Sequence, residues 1–128
     1  MPKKKLFNAS LHTLLLTESL QKEYEVIDLN KEALTIDLKK NLQHEQIRII
    51  EYLIKNVEPG SYVYTSGHPV LTSAVFIACD LIPAHLVYCF IDTSTGRVFD
   101  IQPVYRSLGS IPRKIRLSLE ELKKEVSF

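Results

Sequence analysis

The sequence predicts a small α/β domain of the Rossmann-like type. We expect a three-layer sandwich whose sheet is mostly parallel and carries an antiparallel hairpin at its edge. Short runs of β-branched and aromatic residues alternate with apolar segments of helical period, in the order β-α-β-α-β-α-β-β-α. With 45% apolar and 24% charged residues, the composition is that of a globular domain. Since no internal repeat or low-complexity segment divides the 128 residues, we expect one domain over residues 1–128.

The first half of the chain supplies two strands and a long helix. Residues 4–9 predict the first strand, and residues 13–23 ("TLLLTESLQKE") predict a short helical segment. Residues 24–29 ("YEVIDL") predict the second strand. A helix over residues 38–57 follows and ends at "EPGS". Its apolar residues share one helical stripe, and its charged residues lie mostly off that stripe. The stripe contains Leu38, Leu42, Ile49, Ile50, Leu53 and Val57; the residues off it are Lys39, Lys40, His44, Glu45, Arg48 and Lys55.

The second half of the chain predicts the centre and one edge of the sheet. Residues 61–67 predict a strand, and residues 69–82 predict a helix that a proline ends. Residues 85–92 are apolar on both faces, which is typical of a central strand covered on both sides. Residues 97–104 return as a hairpin partner. Because Pro103 cannot donate to a strand ladder, this strand lies at an edge or ends there.

The tail of the chain is basic and predicts two further elements. Residues 112–117 ("PRKIRL") predict another strand. Residues 118–126 predict a short helix that a Ser118/Glu121 capping box opens.

Charge and hydropathy exclude several classes of partner. Sixteen basic residues against fifteen acidic ones give a net charge of +1, which argues against a binder of long nucleic acid or of anionic membrane. "LHTLLLTESL" is too short and too polar for a signal peptide or a membrane span. Cys79 and Cys89 lie in apolar runs, as expected of free thiols in an intracellular chain. We therefore expect a cytoplasmic protein.

The loop "TSGHP" (residues 65–69) is the first candidate ligand site, because open parallel sheets bind ligands beyond the carboxyl ends of their strands. Pro69 suits the first helical position, which makes His68 the N-cap. Histidine is a poor capping residue, so the amides of the next helical turn are expected to remain open to an anion. Gly67 allows close backbone approach, and Thr65 and Ser66 add hydroxyl donors. The alternative is an ordinary strand–glycine–helix junction in which His68 packs over the sheet edge.

The loop "NASLH" (residues 8–12) is the second candidate site. Asn8, Ser10 and His12 alternate along an extended chain and therefore share a face. Three polar side chains on one face are hard to bury, so we expect them to line an opening; the alternative is a polar strand end that faces water. His44 and His85 are expected on the surface and in a loop. No metal-ligand spacing, GxGxxG or GxxxxGK[ST] occurs, so neither a metal nor a nucleotide cofactor is expected.

The segment from Pro59 to Val104 resembles the core of CARF domains, the CRISPR-associated Rossmann folds. The resemblance rests on a strand followed by the turn Thr65-Ser66-Gly67-His68 and on a helix that contains Thr72-Ser73-Ala74. It also rests on a strand that leads into the hairpin from Asp92 to Arg97. In its shortness and in its lack of an effector domain, the chain looks most like the small standalone Csx ring nucleases.

The resemblance implies a ligand and a reaction. Such proteins bind a cyclic oligoadenylate, usually cyclic tetra-adenylate, across the twofold axis of a homodimer. They cleave it without metal, by attack of a ribose 2′-hydroxyl, and so switch off type III CRISPR signalling. The implied roles are phosphate binding by Thr65, Ser66 and Gly67, acid or charge stabilisation by His68, and positioning of ribose or base by Asn8, Ser10 and His12. The residues expected to take part in catalysis are His68, His12 and Ser10. Arg97 or Arg106 is expected to add positive charge from a neighbouring loop or from the other subunit.

One departure from the family pattern concerns the turn itself. Many CARF domains carry Thr-Lys after the glycine, where this chain has His68-Pro69. The fixed cation is absent, whereas a histidine can serve as an acid. Two other functions fit the same residues: a non-catalytic module that senses or sequesters a cyclic nucleotide, and a partner-binding α/β domain without a ligand.

Overall fold

A computed structural model describes residues 2–126 and confirms the predicted fold class. Five strands form one sheet in the order β2-β1-β3-β4-β5; the first four are parallel and the last is antiparallel to its neighbour. In chain order the elements are β1 (Lys4–Ala9), α1 (Glu18–Glu23), β2 (Tyr24–Asp28), α2 (Lys31–Leu34), α3 (Leu42–Asn56), β3 (Tyr62–Thr65), α4 (Pro69–Leu81), β4 (His85–Ile91), β5 (Val98–Pro103), a 3-10 turn (Leu108–Ser110) and α5 (Arg113–Val126).

The strand order places a topological switch point between β1 and β3. From β1 the chain moves outward to β2 and then crosses back to β3 on the other side of β1. The loops after β1 and β3 therefore leave the same edge of the sheet in divergent directions and open a crevice between them. These loops contain the two stretches that the sequence nominates, "NASLH" and "TSGHP".

The main core lies between the sheet and the helix pair α3 and α4. Alternate residues of β1 and β3 point to this face, where Phe7, Ala9 and Val63 are buried. Ile49 and Leu53 of α3 pack against this core, as the predicted apolar stripe requires. From α4, the small and branched side chains at helical spacing complete the core: Leu71, Ala74, Val75 and Ala78.

The opposite face of the sheet has a thin cover. Leu14 and Leu16 pack there against Leu6 and Val98.

The prediction of a helix from residue 13 is wrong for its first part, because residues 13–17 are extended. Val98 donates its N–H to the Leu15 carbonyl (2.7 Å) and accepts from the Thr17 N–H (3.0 Å). These strand-like hydrogen bonds override the local helical pattern, and the helix is confined to α1.

The long helix begins later than its apolar stripe predicts. Asn41 caps α3 by accepting hydrogen bonds from the amides of Gln43 and His44, so the helix starts at Leu42. Leu38 lies outside the helix and is 71% exposed. A short helix that the sequence did not predict, α2, precedes this region and is capped by Asn30.

The tail forms the single helix α5, which contradicts both the predicted strand over residues 112–117 and the capping box. The Pro112 carbonyl already accepts from the Arg116 N–H (3.0 Å), so the helix begins five residues before Ser118. Ser118 lies within the helix and donates its hydroxyl to the Lys114 carbonyl (3.2 Å). No residue of α5 is buried.

Across residues 2–126, no helix combines the length and the apolar character that spanning a bilayer requires.

Candidate functional site

A cavity of about 270 Å³ opens at the switch point, beside the first turn of α4. Both nominated loops line it, and the segment between α2 and α3 forms its third wall. Apolar side chains supply most of the surface, and two histidines, a threonine and a serine are the polar residues. The lining residues are Leu11, His12, Leu34, Thr35, Ile36, Leu38, Ser66, Gly67, His68 and Leu71.

His68 is the N-cap of α4, as predicted, but it also performs the capping. Its Nδ1 accepts a hydrogen bond from the Val70 N–H at 3.0 Å. The expectation that the Val70 amide stays open to a ligand is therefore wrong. A ring nitrogen that accepts a hydrogen bond carries no proton, so the neutral imidazole has its hydrogen on Nε2. His68 thus offers a ligand one N–H donor, whereas protonation of Nδ1 would break the cap.

The turn before His68 combines a strained backbone with an unsatisfied hydroxyl. Gly67 has φ +112°, a conformation that side-chain-bearing residues rarely adopt, and an added Cβ there would meet no heavy atom within 4 Å. The glycine is thus required for its backbone angle rather than for space. The neighbouring Ser66 Oγ is the only buried side-chain polar atom without a hydrogen-bond partner among the residues that the structure describes. Ser66 is therefore the hydroxyl in this turn that still lacks a partner.

Asn8 and Ser10 position His12 instead of lining an opening. Both are 1% exposed, which contradicts the expectation that polar side chains here resist burial. The Asn8 amide donates to the His12 carbonyl (2.7 Å) and to Asp28 Oδ1 (2.9 Å), and accepts from the Ser10 hydroxyl (2.6 Å). The His12 N–H donates to Ser10 Oγ (3.2 Å). These bonds satisfy the buried groups and fix the backbone that carries the His12 imidazole into the cavity wall.

An ion pair that sequence reasoning missed holds the third wall. Glu45, predicted to face solvent, is 3% exposed and bonds Arg48 at 3.0 Å. Its second oxygen accepts from the Asp37 N–H (2.9 Å), while Arg48 donates to the carbonyls of Ala33 (2.7 Å) and Thr35 (2.9 Å). The hydrogen bond from Arg48, and then that from the Asp37 amide, lower the pKa of Glu45 to about 2. The only sequence signal is the (i, i+3) spacing of the two charges.

Three predicted binding residues lie outside the cavity. Thr65 donates its hydroxyl to the Ala9 carbonyl (2.8 Å) and so ties β3 to β1. Arg97 donates to the Leu16 carbonyl (2.9 Å) beside the β4–β5 hairpin. Arg106 lies at the opposite edge of the sheet, where it bonds Asp80 (2.7 Å) and the carbonyl that precedes β4 (2.9 Å). Within one chain the cavity therefore receives no cation from either arginine.

The remaining reactive side chains do not form a second centre. Cys79 and Cys89 are unpaired, and burial raises the pKa of the Cys79 thiol to about 11 and that of Cys89 to about 12. Neither thiol is therefore activated as a nucleophile. His44 is exposed on α3, as predicted, whereas His85, expected in a loop, is exposed at the start of β4, where it pairs with Tyr62. In the part of the chain that the structure describes, no three His, Cys, Asp or Glu residues come together as metal ligands.

Comparison of the chain with protein-family models, with curated proteins and with solved structures gives no match. The resemblance to CARF domains therefore remains an expectation from the sequence, and the chemistry of the site is argued from its own residues.

Proposed function

We propose that the switch-point cavity binds a cyclic oligoadenylate and that the protein cleaves this ring without a metal ion. The observation that carries the proposal is the presence of two imidazoles, His12 and His68, on one mostly apolar cavity at the carboxyl ends of β1 and β3. Parallel α/β sheets place ligands at this edge. Such a reaction in type III CRISPR signalling belongs to the cytoplasm, and two unpaired cysteines suit that compartment.

The size and lining of the cavity suit one nucleoside of the ring. Small-molecule sites usually measure roughly 300–1,000 Å³, so a cavity of about 270 Å³ holds a nucleoside-sized group and not a whole ring. Leucine and isoleucine walls favour a nucleobase, whose faces are apolar. A ring of repeated nucleotides is therefore shared between two copies of the site, in agreement with the proposed homodimer.

The hydrogen bonds at the two histidines suggest different roles for them. His68 keeps Nδ1 on the Val70 amide, so its Nε2–H is suited to donate to a non-bridging phosphate oxygen, where negative charge grows in the transition state. The His12 imidazole makes no hydrogen bond within residues 2–126, and only its backbone is fixed. His12 is therefore the better group to accept a proton from the attacking 2′-hydroxyl.

The proposed step is an in-line displacement at phosphorus. The ribose 2′-oxygen bonds to the adjacent phosphorus and loses its proton to His12, while the bond from phosphorus to the 5′-oxygen breaks. The 5′-oxygen takes its proton from solvent. The products are a linear oligoadenylate with a 2′,3′-cyclic phosphate at one end and a 5′-hydroxyl at the other. The protein contributes position and charge stabilisation, as the fixed loops around His12 and His68 permit.

Binding without cleavage is the second candidate, and one observation favours it. The His68 cap occupies an amide that phosphate would otherwise contact, and neither arginine reaches the cavity. A site with few phosphate contacts suits a sensor or a sequestering module better than a nuclease.

Incubation with cyclic tetra-adenylate in the presence of EDTA, followed by chromatography of the products, separates these functions. We expect conversion to linear adenylates by the wild type and at least ~100-fold slower conversion by His12→Ala, in line with the loss of a general base. The matched control is His44→Ala, an exposed histidine outside the cavity. An intact ring with a raised melting temperature would indicate a sensor. An intact ring without a thermal shift would refute both functions, because a saturating ligand stabilises the fold.

A further inference from the structure

The helix α5 carries an apolar seam that the rest of residues 2–126 leaves uncovered. Ile115, Leu119, Leu122 and Val126 follow one another at spacings of four, three and four residues, the a/d pattern of a helix that packs along one side. Each is between 43% and 63% exposed. A seam of this regularity on an unburied helix indicates a surface that another element covers.

The charges beside the seam do not favour pairing of α5 with another α5. Arg116 and Lys123 lie one heptad apart on the same flank of the seam. In an antiparallel pair, this flank faces its own copy, and like charges then repel. In a parallel pair, Lys123 would meet Ser118, which supplies no opposite charge. A seam with a basic flank instead fits an apolar surface with an acidic rim.

Such a surface lies on the same chain, between α4 and β4. A groove of about 280 Å³ is lined there by Phe76, Tyr88 and Val104, and Phe90 continues it along the strand. Phe76, Tyr88 and Phe90 are 42–55% exposed. A parallel crossover after β4 would place a helix over this part of the sheet. Here β4 turns back into β5 instead, so the groove remains open.

Two carboxylates lie beside the groove, and the length of the groove matches that of α5. Asp100 stands opposite Phe90 in the β4–β5 register, and Asp80 is 73% exposed at the end of α4, where it also bonds Arg106. A helix of 14 residues is about 21 Å long, and a strand of seven residues spans about 23 Å. The two surfaces therefore correspond in length and in apolar content, and the basic flank of the seam can meet these carboxylates.

We propose that α5 docks in the α4–β4 groove of a second copy of this chain, and that the second copy returns its own α5 in the same way. In the single chain, Arg106 is anchored to Asp80 and to the Ala84 carbonyl, and α5 extends from this anchor with no residue buried. Reciprocal docking makes a closed twofold dimer and buries twice the area that the docking of one helix would bury. The proposal rests on these two surfaces and is independent of the proposed reaction.

Sedimentation measurements on the full chain test the seam and the groove separately. We expect a dimer for the wild type and a dissociation constant raised at least ~30-fold by Leu119→Glu, which charges the seam, or by Tyr88→Glu, which charges the groove. Leu117→Glu is the matched control, because Leu117 is similarly exposed on α5 but lies off the seam. A monomeric wild type, or an equal effect of Leu117→Glu, would overturn the proposal.

Mixing the two variants identifies which surfaces meet. A chain with Leu119→Glu keeps its groove, and a chain with Tyr88→Glu keeps its seam, so the mixture retains one of the two dockings. We expect heterodimers that are tighter than either variant alone, detected with one chain isotope-labelled. Wild-type association by Tyr88→Glu would instead assign α5–α5 pairing and refute the exchange. Should Tyr88→Glu unfold, as judged by circular dichroism, Phe76→Ser on the α4 side of the groove takes its place and should also weaken the dimer. A folded Phe76→Ser variant that dimerises like the wild type would contradict the proposal.

Discussion

The capping role of His68 can be separated from its chemical role by two substitutions at one position. His68→Ala removes both the Nδ1 acceptor for the Val70 amide and the Nε2–H donor. His68→Asn removes the imidazole but supplies a side-chain oxygen that caps at least as well. Loss of an N-cap costs about 1 kcal/mol, which agrees with the net worth of one hydrogen bond. For a domain of this size, that loss lowers the melting temperature by roughly 4 °C.

Urea denaturation and ring-cleavage rates give the two readouts. We expect His68→Ala to lose about 1 kcal/mol of unfolding free energy and His68→Asn to stay within a few tenths of the wild type. Both variants should cleave the ring at least ~100-fold more slowly, because alanine has no donor and the asparagine Nδ2–H stands where the imidazole has Cδ2, short of the Nε2 position. Equal stability of His68→Ala and the wild type would refute the capping argument. A wild-type cleavage rate in His68→Asn would refute the donor role and leave the cap intact.

Three further substitutions test the elements that surround the cavity. Asn8→Ala removes a side chain with three hydrogen bonds and should cost about 3 kcal/mol in urea denaturation; a loss below about 1 kcal/mol would contradict the buried network. Because the pKa of Glu45 is lowered from 4.5 to about 2, its carboxylate stabilises the fold above that range, and the stabilisation disappears as pH falls through it. The stability advantage of the wild type over Glu45→Gln should therefore shrink between pH 4.5 and 2, and an advantage independent of pH would exclude this role. Gly67→Ala should lower the unfolding free energy by about 1–3 kcal/mol through backbone strain alone. The control Gly109→Ala, at a glycine whose φ is not positive, should lower it by less than about 0.5 kcal/mol. Similar losses in the two variants would show that the backbone angle of Gly67 does not matter.

The fold was predictable because its signals are local. The turn residues that follow the short run Lys4–Ala9, and Pro69 two residues after Gly67, determine where β1 ends and α4 begins. The loops at the switch point follow from the order of elements alone. The start of α3 was also predictable, since Asn41 is a good N-cap. The apolar stripe includes Leu38, however, and the predicted helix therefore started too early.

The details of the site depend on contacts that are distant in sequence. Asn8 is buried because Asp28, twenty residues later, accepts from its amide. Glu45 is buried because Arg48 and the Asp37 amide satisfy its carboxylate. The hydrophobic pattern of the sequence does not predict such pairings, so a polar residue at these positions is predicted to be exposed. The same limit explains the tail, where "PRKIRL" fits a strand pattern but no sheet edge pairs with it.

The most direct test of the account is a two-dimensional NMR titration of the labelled protein with a cyclic tetra-adenylate whose 2′-hydroxyls are replaced by hydrogen, which cannot undergo the proposed attack. We expect shifts of the Val70 amide, the His68 ring and residues 10–12, because these line or border the switch-point cavity. The groups around Arg106, at the opposite edge of the sheet, should not move. Shifts centred on Arg106, or none at a saturating ring concentration, would contradict the assignment of the cavity as the ligand site.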